Sequence, residues 1–379
     1  SLIFGGDKEN LKGEDKIRSV YDPCCGTGGM LTIGKQWINE NLNEKLKIEL
    51  YGQELNDVTY AICKSDFLMS NENPENIKGP YSSLSKDGYQ NRKFDYLITN
   101  PPFGVSWKSE EDFVKQEARD QNGRFSVGTP RTSDGSLLFL QHLIHKMEKN
   151  GSRIGIIFNG SPLYNGDAGS GESEIRKWII ENDLLETIVS LPTNIFFNTH
   201  IPTYIWILTN QKEEKRMGKI QLINCVNFYE PINRNLGSKN KIVSDKQINE
   251  ILNIYLKFEQ NDISRIFNNN HFAYQKIQIE HPLQENGKKL KNKNNEFKPD
   301  SKLRDYEIIP YDDDINLYFE KEVRPFSPDA WVDKSKTKIG YEISFNKEFY
   351  KFSPIESVTE INKELENLNE DIEKLMKEI

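Results

Sequence analysis

Asn100-Pro101-Pro102-Phe103 combines residue types that can act together on an amino group. Proline lacks a backbone N–H and has a fixed φ, so two in a row stiffen the chain and leave carbonyls free to accept. The Asn100 side-chain oxygen and the Pro101 carbonyl can then both accept hydrogen bonds from one NH2 group. An exocyclic or amide nitrogen has its lone pair drawn into conjugation. Two aligned acceptors favour its pyramidal form, whose lone pair can attack a methyl group in line. This is catalysis by positioning and electrostatics, with no covalent intermediate and no obligatory general base. Phe103 is suited to stack on the planar group that carries the nitrogen, as extruded bases stack on aromatic side chains. A random Pro-Pro turn is the alternative for the stretch taken alone. Context argues against it, because the quartet directly follows the apolar run "KFDYLIT" (93–99). It therefore stands at the C-terminal end of a predicted strand, the edge where open α/β sheets bind ligands.

A second stretch, "DPCCGTGGML" (22–31), follows the predicted strand "IRSVY" (17–21) and opens a helix. Asp22 and Pro23 close the strand, and Gly26, Thr27, Gly28 and Gly29 lead into the helix. Glycines there let the backbone approach a ligand, and the amides of a helix N-terminus favour an anionic group. A Walker-type phosphate loop needs a lysine after its last glycine, and Met30 occupies that place. Glu54, in "YGQELN" at the end of the next predicted strand, is placed to accept from ribose hydroxyls. The combination suits S-adenosyl-L-methionine, its carboxylate end on the glycine backbone and its ribose on Glu54; a nicotinamide dinucleotide fits the loop nearly as well. The alternatives are a helix cap for Asp22 and a solvated loop acid for Glu54. Pro23-Cys24 superficially matches the Pro-Cys nucleophile of cytosine C5 methylation but lies in the cofactor loop.

The elements that must position these residues alternate. Short apolar, β-branched runs ("KIELYG", "KFDYLIT", "RIGIIF", "LETIVSL", "TYIWIL") are interleaved with helical stretches ("DVTYAICKSDFLM", "SLLFLQHLIHKM", "ESEIRKWIIEN"). That pattern predicts an α/β fold with a doubly wound, mostly parallel sheet. "KIQLINC" is expected to pair antiparallel beside "TYIWIL" through the charged turn "NQKEEKRMGK". Past residue 230 the chain turns Asn- and Lys-rich, and we expect a methyltransferase domain over 1–230, a mainly helical extension over 231–353 and a helical tail over 354–379. Within the extension, "QENGKKLKNKNNEFKPDSK" reads as a linker or surface excursion whose lysines are either solvated or in contact with nucleic acid. In the tail, Ile361, Leu365, Leu368, Ile372, Leu375 and Ile379 form an a/d heptad seam that calls for a covering helix, in this chain or another.

With 379 residues, 36% of them hydrophobic, the chain can bury a sizeable core. No apolar run approaches the roughly 20 residues of a membrane-spanning helix, and there is no signal-peptide pattern. Cys24, Cys25, Cys63 and Cys225 form no C-x-x-C pair and have no histidine at metal-ligand spacing, so no metal site is expected. Adjacent Cys24 and Cys25 have the wrong geometry for an unstrained bridge, and the usage suits a reducing cytoplasm. The net charge of −8 lacks the basic balance of a protein that grips DNA alone. If DNA is the substrate, a partner is expected to share the holding.

"DPCCGTGGML", "YGQELNDVTY", "KFDYLITNPPFG", "DGSLLFLQHLI", the long stretch from "GIIFNGSPLYNGDAGSGESE" to "LPTNIFFNT", and "PDAWVDKSKTKIGYEI" together resemble the modification subunits of type I restriction-modification systems. The resemblance runs over nearly the whole chain. It implies a Rossmann-like methyltransferase fold and transfer of methyl from S-adenosyl-L-methionine to the N6 amino group of adenine in DNA. It carries Asp22, Gly26 and Gly28 to the cofactor loop, Glu54 to the ribose acid and Asn100 to Phe103 to the catalytic quartet. Phe196 or Phe197 becomes a second aromatic near the target base, or core packing. "GDAGSGESE", with Glu172 in the lysine place of a phosphate loop, becomes a loop at the active-site mouth or a surface turn. Implied partners are DNA bound as part of a complex, a specificity subunit held through the C-terminal helix, and a restriction subunit. The family's helical N-terminal domain and pocket-completing upstream segment do not precede the first strand here, so a fragment is expected. The family's adenine-ring acid finds no match near "NIKGPYSSLSKD", Asp66 being the weak candidate. Two rival readings are methylation of a protein glutamine, whose enzymes usually carry Tyr at the fourth place of the quartet, and a catalytically impaired assembly subunit.

Overall fold

The structure is a computed structural model that describes residues 1–12, 16–149, 151–197, 199–351 and 357–377. Its main sheet is built from β1 (Ile17–Asp22), β2 (Lys47–Gln53), β3 (Ile77–Lys78), β4 (Tyr96–Thr99), β5 (Arg153–Phe158), β6 (Leu185–Ser190), β7 (Tyr204–Thr209), β8 (Lys219–Asn224) and β9 (Ser264–Asn268). The helices that matter for the site are α1 (Gly29–Asn41), α2 (Asp57–Met69), α3 (Ser136–His145), α4 (Gly171–Glu181) and α5 (Asp245–Lys257). Strand order is β9-β8-β6-β7-β5-β4-β1-β2-β3, parallel except for β7 and β9. This is the expected doubly wound α/β sheet. Five of the six residues of β5 are buried, which is why it reads as a nearly continuous apolar run rather than an alternating one; all six of β6 are buried too, although Glu186, Thr187 and Ser190 are polar, and Glu186 is paired with Arg153.

One pairing differs from expectation. The strand β8 does not lie beside β7; it runs parallel to β6, with Ile188 opposite Leu222. Strand β7 is inserted between β5 and β6 and pairs antiparallel with both. With both its edges occupied, β8 can only take the free edge of β6.

The composition change at residue 230 is not a structural boundary either. Chain contacts divide the protein into Ser1–Phe345 and Asn346–Ile379. The helix α5 sends Ile251 and Tyr255 into the main core, and β9 pairs with β8, so the large sheet recruits residues well past 230. The region after it is mainly β. β10 (Ala273–Glu280) is flanked by β11 (Asp305–Pro310) on one edge and by β12 (Trp331–Val332) and β13 (Lys338–Tyr341) on the other, all antiparallel. Alternation explains this small sheet: Ile277, Ile279 and Ile309 face their own core with Phe319 and Ala330, while Lys276, Tyr306 and Ile308 face outward. The expected helix does end the chain as α6 (Val358–Lys377). Along it Ile361, Leu365, Leu368, Ile372 and Leu375 are exposed at heptad spacing; Ile379 lies outside the described residues.

Candidate active site

Three adjacent strands, β2, β1 and β4, end at one edge of the sheet, with Asp22 opposite Gly52 and Tyr21 opposite Leu97. Topology therefore brings the glycine loop, Glu54 and the quartet at 100–103 to neighbouring positions. Below that edge Tyr21 stacks on Phe94 at 4.4 Å and hydrogen-bonds buried His142 on α3 at 3.0 Å, which fixes β1 beneath its loop.

Asp22 is 2% exposed and does not cap α1, whose N-cap is Gly28. Its Oδ1 accepts from Thr99 Oγ1 at 2.7 Å and from the Cys24 N–H at 3.0 Å. Burial pushes this carboxyl up to about 7; the two hydrogen bonds oppose the rise and the Glu54 charge adds to it. Thr99 thus ties the end of β4, directly before Asn100, to the first residue of the loop. Cys24 Sγ also lies 2.8 Å from Thr99 Oγ1. Burial and the Asp22 charge push its thiol well above its usual range, which leaves no thiolate for a nucleophile. All four cysteines are free, and buried Cys25 packs 3.9 Å from Cys63 of α2.

The glycines divide into two kinds. Gly28 is left-handed at φ 84°, and a Cβ there would sit 2.8 Å from the Phe67 ring and 3.0 Å from Cys63 Sγ. It is where the loop presses onto α2. Gly26, left-handed at φ 57°, and Gly29 are different: a Cβ at either meets nothing within 4 Å. These two face open space, so the loop leaves room for a ligand above its backbone. Buried Pro23 and exposed Thr27 lie on the loop's inner and outer sides. Glu54 spans the gap to β2. One carboxylate oxygen accepts from the Gly26 N–H at 2.8 Å and the other from the Asn56 N–H at 2.8 Å. An ionised carboxylate has about four lone-pair sites, so Glu54 keeps acceptor capacity for hydroxyls.

In the quartet, Asn100 is exposed, Pro101 buried, Pro102 exposed and Phe103 half-buried. The turn is closed by Gly104 at φ 61° and anchored by Trp107, which is buried with Val114, Phe125 and Leu138. Trp107 donates from Nε1 to the Arg131 carbonyl at 2.9 Å and from its N–H to the Thr132 carbonyl at 3.1 Å. Strand β4 on one side and Trp107 on the other hold Asn100 in place without using its side chain.

The remaining candidates separate. Phe196 packs against the main core, while Phe197 is exposed with the Lys239 ammonium 5.0 Å from its ring centroid. Asp66 lies within α2, not in the loop after β3. That loop is organised by Gln53, fully buried, whose amide donates to Lys86 O at 2.7 Å and accepts from the Gly88 N–H at 3.1 Å. Glu172 accepts from the Arg131 N–H at 2.9 Å. Buried Arg176 holds the loop after β5 through the carbonyls of Pro162, Asn165 and Gly166, and β13 through Tyr341 O at 2.7 Å. Sequence reasoning misses Thr99, Gln53 and Trp107. Thr99 and Gln53, each one residue before a chosen site residue, were the findable ones. Among the described residues no group of three or more His, Cys, Asp or Glu side chains is arranged to hold a metal ion.

The fold is that of the Rossmann-like methyltransferase class, with a glycine loop after the first strand, an acid after the second and the Asn-Pro-Pro-Phe quartet after the fourth. The family model for N-6 DNA Methylase matches residues 9–298, which takes in all three. The chain belongs to the N-6 DNA methylase family. It is 28% identical over 245 residues to a type I restriction enzyme methylase subunit of Methanocaldococcus jannaschii, covering 64% of this chain and 42% of that one. A Haemophilus influenzae type I methylase subunit is 30% identical over 206 residues, covering 54% and 44% respectively. The chain thus spans less than half the length of these relatives. The crystal structure of a type I restriction-modification methyltransferase subunit from Streptococcus thermophilus shares the fold, with a TM-score of 0.59 and 24% identity over 71% of this chain and 54% of that one.

Proposed function

We propose that this chain transfers a methyl group from S-adenosyl-L-methionine to the N6 amino group of adenine in DNA, as the catalytic part of a type I modification subunit. The observation that carries this reading is the coupling of quartet to loop: Thr99, next to Asn100, donates to Asp22 at 2.7 Å. S-adenosyl-L-methionine supplies an electrophilic methyl on a sulfonium. The Gly26 and Gly29 backbone, Asp22 and Glu54 are the residues that would hold it, and the open space above both glycines fits a bound group.

Asn100 Oδ1 and the Pro101 carbonyl accept the two amino hydrogens and orient the nitrogen lone pair. Phe103 stacks on the base, which leaves the duplex to present its N6 amino group, as bases do for enzymes that act on them. The Asn100 side chain has no hydrogen-bond partner among the described residues, and β4 and Trp107 already hold its backbone. Family membership and Phe103 favour adenine over a protein glutamine.

Sequence recognition is assigned to a separate specificity subunit that covers the heptad seam of α6; a restriction subunit is a further partner. The test is transfer of labelled methyl to DNA with the cognate specificity subunit present. Label on adenine N6 supports the reading. Label on a release-factor-like protein, or none on DNA, refutes it.

A further inference from the structure

We infer that the segment between β10 and β11 is a cationic arm that holds the DNA backbone. The inference rests on the DNA reading above and adds a surface to it. The segment has the order of a built hairpin. Gln284–Glu285 pairs with Lys288–Lys289 across an Asn286-Gly287 turn with φ of 50° and 75°, the positive pair that tight hairpins need. Below the turn, Leu290 N–H donates to Leu283 O, Lys298 N–H to Leu290 O and Leu283 N–H to Lys298 O at 2.7–2.9 Å. Bridges Lys291–Phe297 and Pro282–Pro299 continue it to the small sheet.

The arm's charge is opposite to that of the protein. Residues 284–304 carry seven Lys and Arg against three Asp and Glu, in a chain of net charge −8. Lys289 is paired with Asp329, and Arg304 with Glu280. Lys288, Lys293, Lys298 and Lys302 are exposed and have no ion pair among the described residues. Phe297 is 40% exposed, with the Lys291 ammonium 5.2 Å and the Lys289 ammonium 5.9 Å from its ring centroid. Lysines interleaved with an exposed aromatic on an ordered strand pair are what a phosphate backbone with adjacent sugars and bases fits.

Position strengthens the assignment. Pro299 and Arg304, at the arm's base, line a depression of about 610 Å³ with Lys276, Lys336 and Lys338. Asp167 and Ala168, in the loop that follows β5, line it too. Strand β5 runs parallel to β4, so that loop leaves the same sheet edge as Asn100. The depression is of mixed charge, since Glu280 and Asp333 also line it, Lys276 is paired with Asp167 and Arg304 with Glu280; the charge that sets the arm apart is therefore that of its own exposed lysines. It also answers how a chain of net charge −8 contributes to holding DNA.

The test uses the full chain and the variant K288Q/K293Q/K298Q/K302Q, binding a fluorescent short DNA duplex across a salt series. All four side chains are exposed, so unchanged thermal unfolding and unchanged S-adenosyl-L-methionine binding are expected. Each lost phosphate contact flattens the slope of log K against log[salt] by about 0.9, and a flattening of about two or more is expected with weaker binding at low salt. An unchanged slope overturns the inference while leaving methylation standing. So does a variant whose DNA binding is intact but which no longer co-purifies with the specificity subunit, since the arm then holds protein. Failure of the wild-type chain to bind DNA also overturns it, and the labelled-methyl assay with the specificity subunit then reports separately on the catalytic reading.

Discussion

Asp22→Asn isolates the electrostatics of the glycine loop. Burial raises the Asp22 carboxyl from 3.8 to about 7 in the folded chain. The folded state therefore binds a proton that the unfolded state has already released, and the stability this contributes is complete below pH 4 and lost as pH rises through about 7. At about 1.4 kcal/mol per pKa unit, the whole effect is capped on the order of 4 kcal/mol. Roughly 3 kcal/mol of it falls between pH 5 and pH 8. Asparagine keeps an acceptor for Thr99 and the Cys24 N–H but never ionises. Any constant cost of the substitution cancels when one protein is compared with itself at two pH values. Thermal unfolding of the cofactor-free chain should then show the wild type losing more stability than Asp22→Asn between pH 5 and pH 8. At about 2 °C per kcal/mol the extra loss is up to about 6 °C. Parallel curves of Tm against pH for the two proteins would falsify the claim that Asp22 is held as a desolvated carboxyl.

Five further perturbations separate the parts. Asn100→Ala should retain cofactor binding, measured by calorimetry, and lose methyl transfer; near-normal transfer would remove Asn100 from the mechanism. Gly26→Ala places its Cβ in open space, so cofactor affinity should fall at least tenfold for a loss of about 1–2 kcal/mol in stability. Gly28→Ala drives its Cβ to 2.8 Å from Phe67 and should instead cost about 2–4 kcal/mol by chemical denaturation, from left-handed strain plus overpacking; the reverse ranking would show that the loop's inner and outer glycines have been misassigned. Thr99→Val removes the donor to Asp22 and should cost about 1–3 kcal/mol with weakened cofactor binding, and an unaltered Kd would break the proposed coupling of quartet to loop. Truncation after Tyr350 should abolish co-purification with the specificity subunit while leaving unfolding of residues 1–345 unchanged, and undiminished assembly would free α6 of that role.

Local chemistry was legible wherever one segment carried its own signal. β1, β5 and α2 fall where the apolar runs "IRSVY" and "RIGIIF" and the helical stretch "DVTYAICKSDFLM" place them, because such patterns are written in consecutive residues. The Asn286-Gly287 turn is equally local, but the lysines around it give the segment the composition of an open linker. The placement of β8 was not available at all. Nothing in "KIQLINC" states that β7 has already used both of its edges. The apparent boundary at residue 230 failed for the same reason: composition shifts there, but β9 and α5 return to the main core from beyond it.

By itself the sequence determined the candidate parts of the site: a quartet with two acceptors and an aromatic, a glycine loop without a lysine, and an acid after the second strand. Each is a matter of residue type and short spacing, which covalent geometry fixes. Only the tertiary structure decided that Thr99 lies between Asp22 and Asn100, that Gly28 is packed while Gly26 and Gly29 are open, and that the lysine-rich segment is an arm reaching from the small sheet. Those facts depend on which strands become neighbours. Strand neighbours are set by burial and pairing across tens of residues, and no local pattern encodes them.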